Sequence, residues 1–111
     1  MIRNPAVAGQ FYSGNKAELL KQLGALIKRS PSVENAIAVI LPHAGYVYSG
    51  AVAGRVLGCV RPKKTYIIIG PNHTGMGERF GIASSDSWNT PLGRVDVDTA
   101  LVKDIITGSE Y

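Results

Sequence analysis

His43 and His73 are the only two histidines of this 111-residue chain, and their positions suit them to chemistry. Each follows a short, largely apolar run, residues 36–41 before His43 and residues 65–69 before His73. Runs of this length, rich in isoleucine and valine, are typical of strands buried on both faces of a sheet. Because ligands of open α/β sheets bind at the carboxyl ends of the strands, both side chains are predicted to lie on one rim.

Two imidazoles that leave neighbouring strands can reach the same metal ion. Neighbouring strands lie about 4.8 Å apart, and a histidine nitrogen binds zinc at about 2.0 to 2.1 Å. Neutral imidazole is a good ligand for iron, copper and zinc. The residues therefore predict a divalent metal pocket that contains His43 and His73. The alternative is that each ring only hydrogen-bonds a loop carbonyl.

A site with two histidines needs at least one further ligand, as in the two-histidine, one-carboxylate sites of non-haem iron enzymes. The single cysteine, Cys59, lies near the end of the predicted crossover helix, roughly 15 Å from the rim at 1.5 Å per residue. It is predicted to be a buried apolar filler. Glu78 and Asp86 are expected to be solvated loop carboxylates, with the alternative that either reaches the crevice as a ligand, and the missing ligand is predicted to lie outside this chain.

Two tyrosines close to His43 are the candidates for a catalytic group. A phenol of Tyr46 or Tyr48 could orient a substrate or donate a proton, although packing against the loop is the alternative. Hydrolysis at a metal-bound water would need a general base, for which Glu78 is the nearest candidate. Ser49 is predicted to cap a helix, because no G-x-S-x-G turn surrounds it.

The elements that must position these residues alternate between helix and strand. Helices are predicted after the caps Asn15, Ser49 and Asp98, the first of them ended by Pro31. The fold class predicted is α/β, a partial three-layer α/β/α sheet with a parallel βαβ core that is incomplete without a C-terminal half. The remaining predictions are a strand at 79–83, a turn at 88–93 and an edge strand at 94–97.

Composition limits the classes of partner. The net charge of +4 is mild, and its one local cluster, residues 61–64, is predicted to be a solvated turn. No apolar run approaches the roughly 20 residues of a membrane helix, and the N-terminus resembles no signal peptide. A single cysteine fits a reducing compartment. The chain is predicted to be cytoplasmic, with neither nucleic acid nor membrane as partner.

Four motifs, in order along the chain, resemble those of the Memo family. They are Arg3-x-Pro5-x-Val7-Ala8-Gly9-x-Phe11-Tyr12, Pro42-His43-Ala44-Gly45-Tyr46 with Tyr48-Ser49-Gly50, Gly70-Pro71-Asn72-His73, and Thr90-Pro91-Leu92-Gly93. Ser13 stands where the family commonly has proline. The resemblance covers the whole chain.

The resemblance implies a fold similar to that of the class III extradiol dioxygenases, in which iron sits in a comparable crevice. It implies that His43 and His73 are metal-site residues, with iron as the expected ion and copper or zinc as alternatives. Members of the family are longer, and their later half supplies a further histidine and a cysteine. Residues 1–111 are therefore expected to be the N-terminal part of one such domain, with an oxidoreductase-like function. The alternative is a non-catalytic scaffold that binds a peptide or small molecule in the same crevice, and assembly with further copies of the chain stays open.

Overall fold

The computed structural model, which describes residues 1–110, contains helices and short strands. The elements of this part of the chain, in order, are β1 (Ile2–Arg3), α1 (Lys16–Leu26), α2 (Tyr46–Gly58), β2 (Ser87–Thr90), β3 (Gly93–Asp96) and α3 (Thr99–Gly108). The α/β class predicted from the sequence is confirmed.

The sheet joins the start of the chain to a hairpin near its end. Strand β1 pairs in parallel with β2, and β2 pairs antiparallel with β3. Thr90 opposes Gly93 across the hairpin turn, where Gly93 has φ 140°, a backbone conformation that favours glycine. The turn predicted at 88–93 is shorter than expected, because residues 88–90 belong to strand β2. The edge strand predicted at 94–97 is confirmed to within one residue as β3.

Side-chain caps begin two of the helices where the sequence predicted them. The side chain of Asn15 accepts a hydrogen bond from the amide of Glu18 at 3.1 Å, and that of Asp98 accepts one from Leu101 at 3.0 Å. The cap predicted at Ser49 is wrong, because α2 begins at Tyr46 with Gly45 as its N-cap. Ser49 lies inside the helix, where its hydroxyl donates to the carbonyl of Ala44 at 2.9 Å. Helix α1 ends at Leu26, before the predicted stop at Pro31.

The two longer helices pack through a stripe of glycines. Gly50, Gly54 and Gly58 are buried on one face of α2, four residues apart. Because glycine has no side chain, α2 lies directly against Leu26, the last residue of α1, and against Lys28 just after it. This contact holds the N-terminus of α2, and with it the loop of His43, against the first helix.

The strands predicted at 36–41 and 65–69 do not form a hydrogen-bonded ladder, and this part of the prediction is wrong. Ile40 is 95% exposed and Ile69 is 92% exposed. Parallel strands are stable when both faces of the sheet are covered, and no element among residues 1–110 covers these two segments. One parallel bridge remains, between Glu34 and Val60.

The strand predicted at 79–83 is also absent from the described residues. Phe80 is 69% exposed and Ile82 is 42% exposed, so the alternation that suggested a buried face has no core to face. A strand needs a neighbouring strand for its backbone hydrogen bonds, and the sheet of the described residues consists of β1, β2 and β3. These uncovered segments are consistent with a partial fold.

Candidate metal centre

His43 and His73 lie in direct contact although 30 residues separate them in the chain. Their Nε2 atoms are 3.2 Å apart, and the ring centroids are 5.2 Å apart with the planes inclined by 45°. Both side chains are exposed. This distance is within hydrogen-bonding range, and the tautomers of the two rings decide which nitrogen donates.

The same geometry suits a shared metal ion. With each nitrogen about 2.0 to 2.1 Å from the ion, the observed 3.2 Å separation corresponds to an angle at the metal of roughly 100°. That angle lies between the ideals of octahedral and tetrahedral coordination. The two imidazoles therefore fit as adjacent ligands without moving apart.

The loop of His43 is held by its contacts with the lead-in segment and with α2. The amide of Tyr46 donates to the carbonyl of Phe11 at 2.8 Å. Gly45 also lies beside Phe11, since a Cβ at Gly45 would be at an ordinary contact distance of 3.4 Å from the same carbonyl oxygen. With the bond from Ser49 to Ala44, these contacts fix the backbone on the C-terminal side of His43.

The loop of His73 is organised by Asn72, a residue that the sequence analysis did not single out. Its Oδ1 accepts from the amides of Thr74 and Gly75, each at 3.1 Å, and from the Thr74 hydroxyl at 2.9 Å. Its Nδ2 donates to the carbonyl of Met76 at 2.8 Å. The side chain of an asparagine in a turn commonly accepts from the backbone amide two residues ahead, and this tendency could have identified Asn72 as a positioning residue.

The two segments that carry the histidines are also joined by hydrogen bonds at their N-terminal ends. The amide of Glu34 donates to the carbonyl of Cys59, and the amide of Arg61 donates to the carbonyl of Glu34, both at 2.8 Å. The segments thus run in the same direction from this bridge to the histidine pair. The two rings lie together, as the prediction of a common rim requires. No hydrogen-bonded ladder joins the two segments that lead to them.

No third ligand completes the site within residues 1–110, where no group of three or more histidine, cysteine or acidic side chains lies close enough to hold an ion. Cys59 caps the far end of α2, which begins three residues after His43. The prediction that Cys59 is buried is wrong, because the residue is exposed at this end of the helix.

The two loop carboxylates also lie outside the histidine pair. Asp86 pairs with the N-terminal ammonium of Met1, and the hydrogen bond from that ammonium lowers the pKa of the carboxyl group. The carboxyl group of Glu78 is exposed. Neither joins the histidines in a cluster of possible ligands.

The two candidate tyrosines lie in different surroundings. Tyr46 lines a cavity together with His43, and its ring lies 5.5 Å from that of Tyr12 between centroids. Burial, and then the neighbouring Tyr12, raise the pKa of Tyr46 above its usual 10.0, so its phenol is neutral at physiological pH. Tyr48 is 86% exposed. Tyr46 is the better placed of the two to act beside His43, and a catalytic role for either stays a prediction.

The fold and the histidine pair define an α/β protein with two potential metal ligands on neighbouring loops. Residues 3–111 match the family model described as Memo-like protein, so the chain belongs to the Memo-like family. It is 46% identical over 102 residues to a MEMO1 family protein of Archaeoglobus fulgidus, covering 92% of this chain and 38% of the relative. A MEMO1 family protein of Nitrosopumilus maritimus is 42% identical over 120 residues, covering 100% of this chain and 44% of the relative.

The chain therefore spans about two fifths of the length of these relatives. That share agrees with the partial fold and is consistent with a missing C-terminal half. Among the described residues, no helix combines the length and the apolar character needed to cross a membrane.

Proposed function

We propose that His43 and His73 are two ligands of a divalent metal centre in a Memo-like, oxidoreductase-like protein. The 3.2 Å approach of the two Nε2 atoms is the observation that carries the proposal. Exposure of both rings supports it as well, because further ligands and a substrate can reach them. Iron is the ion proposed, with copper and zinc as the alternatives that imidazole also accepts.

The residues of this chain have distinct parts in such a centre. His43 and His73 would hold the ion, and a redox-active metal would supply electron-transfer chemistry there. Asn72 would keep the His73 loop in place, and the contacts around Gly45 would do the same for His43. Tyr46, with its neutral phenol, would donate a hydrogen bond to a substrate beside His43.

Further ligands are proposed to come from polypeptide corresponding to the remaining length of the relatives. The exposed segments 36–41 and 65–69 support this proposal, because they carry apolar side chains suited to the interior of a sheet. An element that covers them would bring its own side chains to the same rim. The chain alone is therefore expected to bind metal weakly, through two ligands.

The experiment is a metal titration of the 111-residue chain, without a histidine tag, followed by NMR of its imidazole resonances. Since the chain has two histidines, both sets of ring signals can be assigned by single substitution. Zn²⁺ is the first probe, because it is diamagnetic, and Fe²⁺ and Cu²⁺ follow by calorimetry. Both rings are expected to respond together with one stoichiometric ion.

The variants His43→Ala and His73→Ala should each lower the affinity by about tenfold or more, since loss of a ligand costs at least as much as loss of an outer-shell partner. Glu78→Gln is the matched control on a nearby loop and should bind as the parent chain does. Independent binding at the two rings, or unchanged affinity in either alanine variant, would show that the pair is not a metal site.

A scaffold function is the second candidate, favoured by the cavity that His43 and Tyr46 share. In this role His43 would act as a hydrogen-bonding group for a peptide or small molecule bound in the cavity, and His73 would do so for a part of the ligand that extends beyond it. Chelator separates the two functions. Ligand binding that persists in chelator favours the scaffold, and binding that is lost favours the metal centre.

A further inference from the structure

A cavity of about 240 Å³ lies between α1, α2 and the lead-in residues that precede α1. Its walls include the aromatic rings of Phe11, Tyr12 and Tyr46 and the aliphatic side chains of Leu23 and Leu57. His43 belongs to the wall, whereas His73 does not. The cavity is therefore beside the histidine pair and distinct from the space between the two rings.

The size of this cavity exceeds that of an ordinary packing defect. Voids in protein interiors are few and are seldom much larger than one water molecule, which occupies about 30 Å³ in the liquid. An apolar cavity of about 150 Å³ in another protein stays dry and binds benzene. The present cavity has room for one six-membered ring with a small substituent.

The residues that line the cavity favour an uncharged ligand. No lysine, arginine, aspartate or glutamate is part of the wall. A charged ligand would lose its hydration there without gaining a counter-charge, which is costly. Burial and the neighbouring Tyr12 raise the pKa of Tyr46, so its phenol carries no charge at neutral pH. Aromatic walls also favour offset or edge-to-face contacts with a planar ring.

We propose that this cavity binds a small, uncharged, largely apolar molecule of about the size of a substituted benzene, and that it does so without a metal ion. The wall residues come from three parts of the chain that already pack together, so the site forms within the described residues. Binding here would place the ligand against His43.

The test is a titration of the ¹⁵N-labelled chain in chelator with three probes of matched size: benzyl alcohol, benzoate and benzylammonium. Benzyl alcohol should give saturable shifts of the amides of Gly50 and Ala53, which line the cavity. The two charged probes should bind about tenfold more weakly or worse, a difference of about 1.4 kcal/mol. Chelator removes any contribution of a metal centre, so failure here and failure of the metal proposal are separate results.

Two substitutions on one helix supply the control. Ala53→Leu extends a side chain into the cavity and should abolish the shifts, whereas Ala51→Leu adds the same bulk at an exposed position of α2 and should preserve them. Circular dichroism checks that each variant is folded. If Ala53→Leu does not fold, the titration is repeated with Val7→Phe, which fills the cavity from the side of the lead-in residues. Equal binding of the charged probes, unsaturable shifts or full binding by the folded filled variant would overturn the proposal.

Discussion

Gly54 of α2 lies against the backbone carbonyl of Leu26, at the end of α1, with no room for a side chain between them. Gly50 and Gly58 lie one turn to either side and meet the Leu26 side chain and the Lys28 carbonyl. A residue every four positions falls on one face of a helix. The approach of the two helices therefore depends on three glycines that share this spacing.

Gly54→Ala is expected to destabilise the chain. Overpacking of a close contact typically costs about 1 to 3 kcal/mol, which offsets the gain of about 1 kcal/mol in helix propensity. A net loss of up to about 2 kcal/mol is expected in the free energy of unfolding, measured by urea titration.

Gly24→Ala is the control for Gly54→Ala. Gly24 lies in α1, and a Cβ there would meet nothing within 4 Å. This variant should gain up to about 1 kcal/mol from helix propensity. A Gly54→Ala variant that is stabilised as much as Gly24→Ala would show that the helices do not pack as described.

Tyr46→Phe is expected to reduce the loss of stability at alkaline pH. The pKa of Tyr46 is raised above 10.0 in the folded chain, so the unfolded chain loses this proton first as the pH rises. The stability tied to the protonated phenol is complete below the unfolded pKa and is lost as the pH rises through the folded pKa. Removing the phenol removes this part of the pH dependence.

The measurement for Tyr46 is urea unfolding at a series of pH values from neutral to strongly alkaline, combined with ultraviolet absorbance of tyrosinate. Tyr48→Phe controls for the loss of a phenol from an exposed site of the same helix. An unchanged alkaline slope in Tyr46→Phe would argue against burial of that phenol.

Asn72→Ala is expected to loosen the loop of His73. It removes the acceptor for three hydrogen bonds and the donor to Met76. At about 1 kcal/mol for a typical hydrogen bond, the amides of Thr74 and Gly75 should exchange with solvent about fivefold faster or more. Asn72→Asp keeps the acceptor oxygen and should retain most of the protection. Equal exchange rates in the two variants would show that the Asn72 side chain does not position the loop of His73.

The double variant Ile40→Thr, Ile69→Thr is expected to reduce self-association of the chain. These side chains are 95% and 92% exposed and lie on the two uncovered segments. Exposed contiguous apolar surface promotes association. Sedimentation velocity over a range of concentrations measures the effect, and Val47→Thr, at a site 91% exposed on α2, is the control. Equal association of the two variants would show that the segments do not drive it.

Features with local causes could be predicted from the sequence. The caps Asn15 and Asp98 need only an amide three residues ahead, and both predictions are confirmed. Strand β3 and the turn that ends at Gly93 could also be predicted, whereas residues 88–90 were predicted as turn and belong to strand β2. The glycine stripe of α2 was overlooked, although its four-residue spacing is visible in the sequence.

Features that depend on distant partners could not be predicted in the same way. Residues 36–41 and 65–69 have the composition of buried strands, but backbone pairing and burial require neighbours that the described residues do not supply. The contact between His43 and His73 followed from the order of the elements rather than from the ladder itself. Their role as ligands stays a prediction.

The bridge at Glu34 and Val60 and the imidazole pair lie at opposite ends of two segments that form no hydrogen-bonded ladder between them. An ion bound by both rings would hold the two segments together at the histidine end. Polypeptide that covers the segments would favour the same arrangement. Two such events that stabilise one conformation strengthen each other by equal factors. Metal affinity in a Memo-like protein of this design would thus report on how completely its sheet has been assembled.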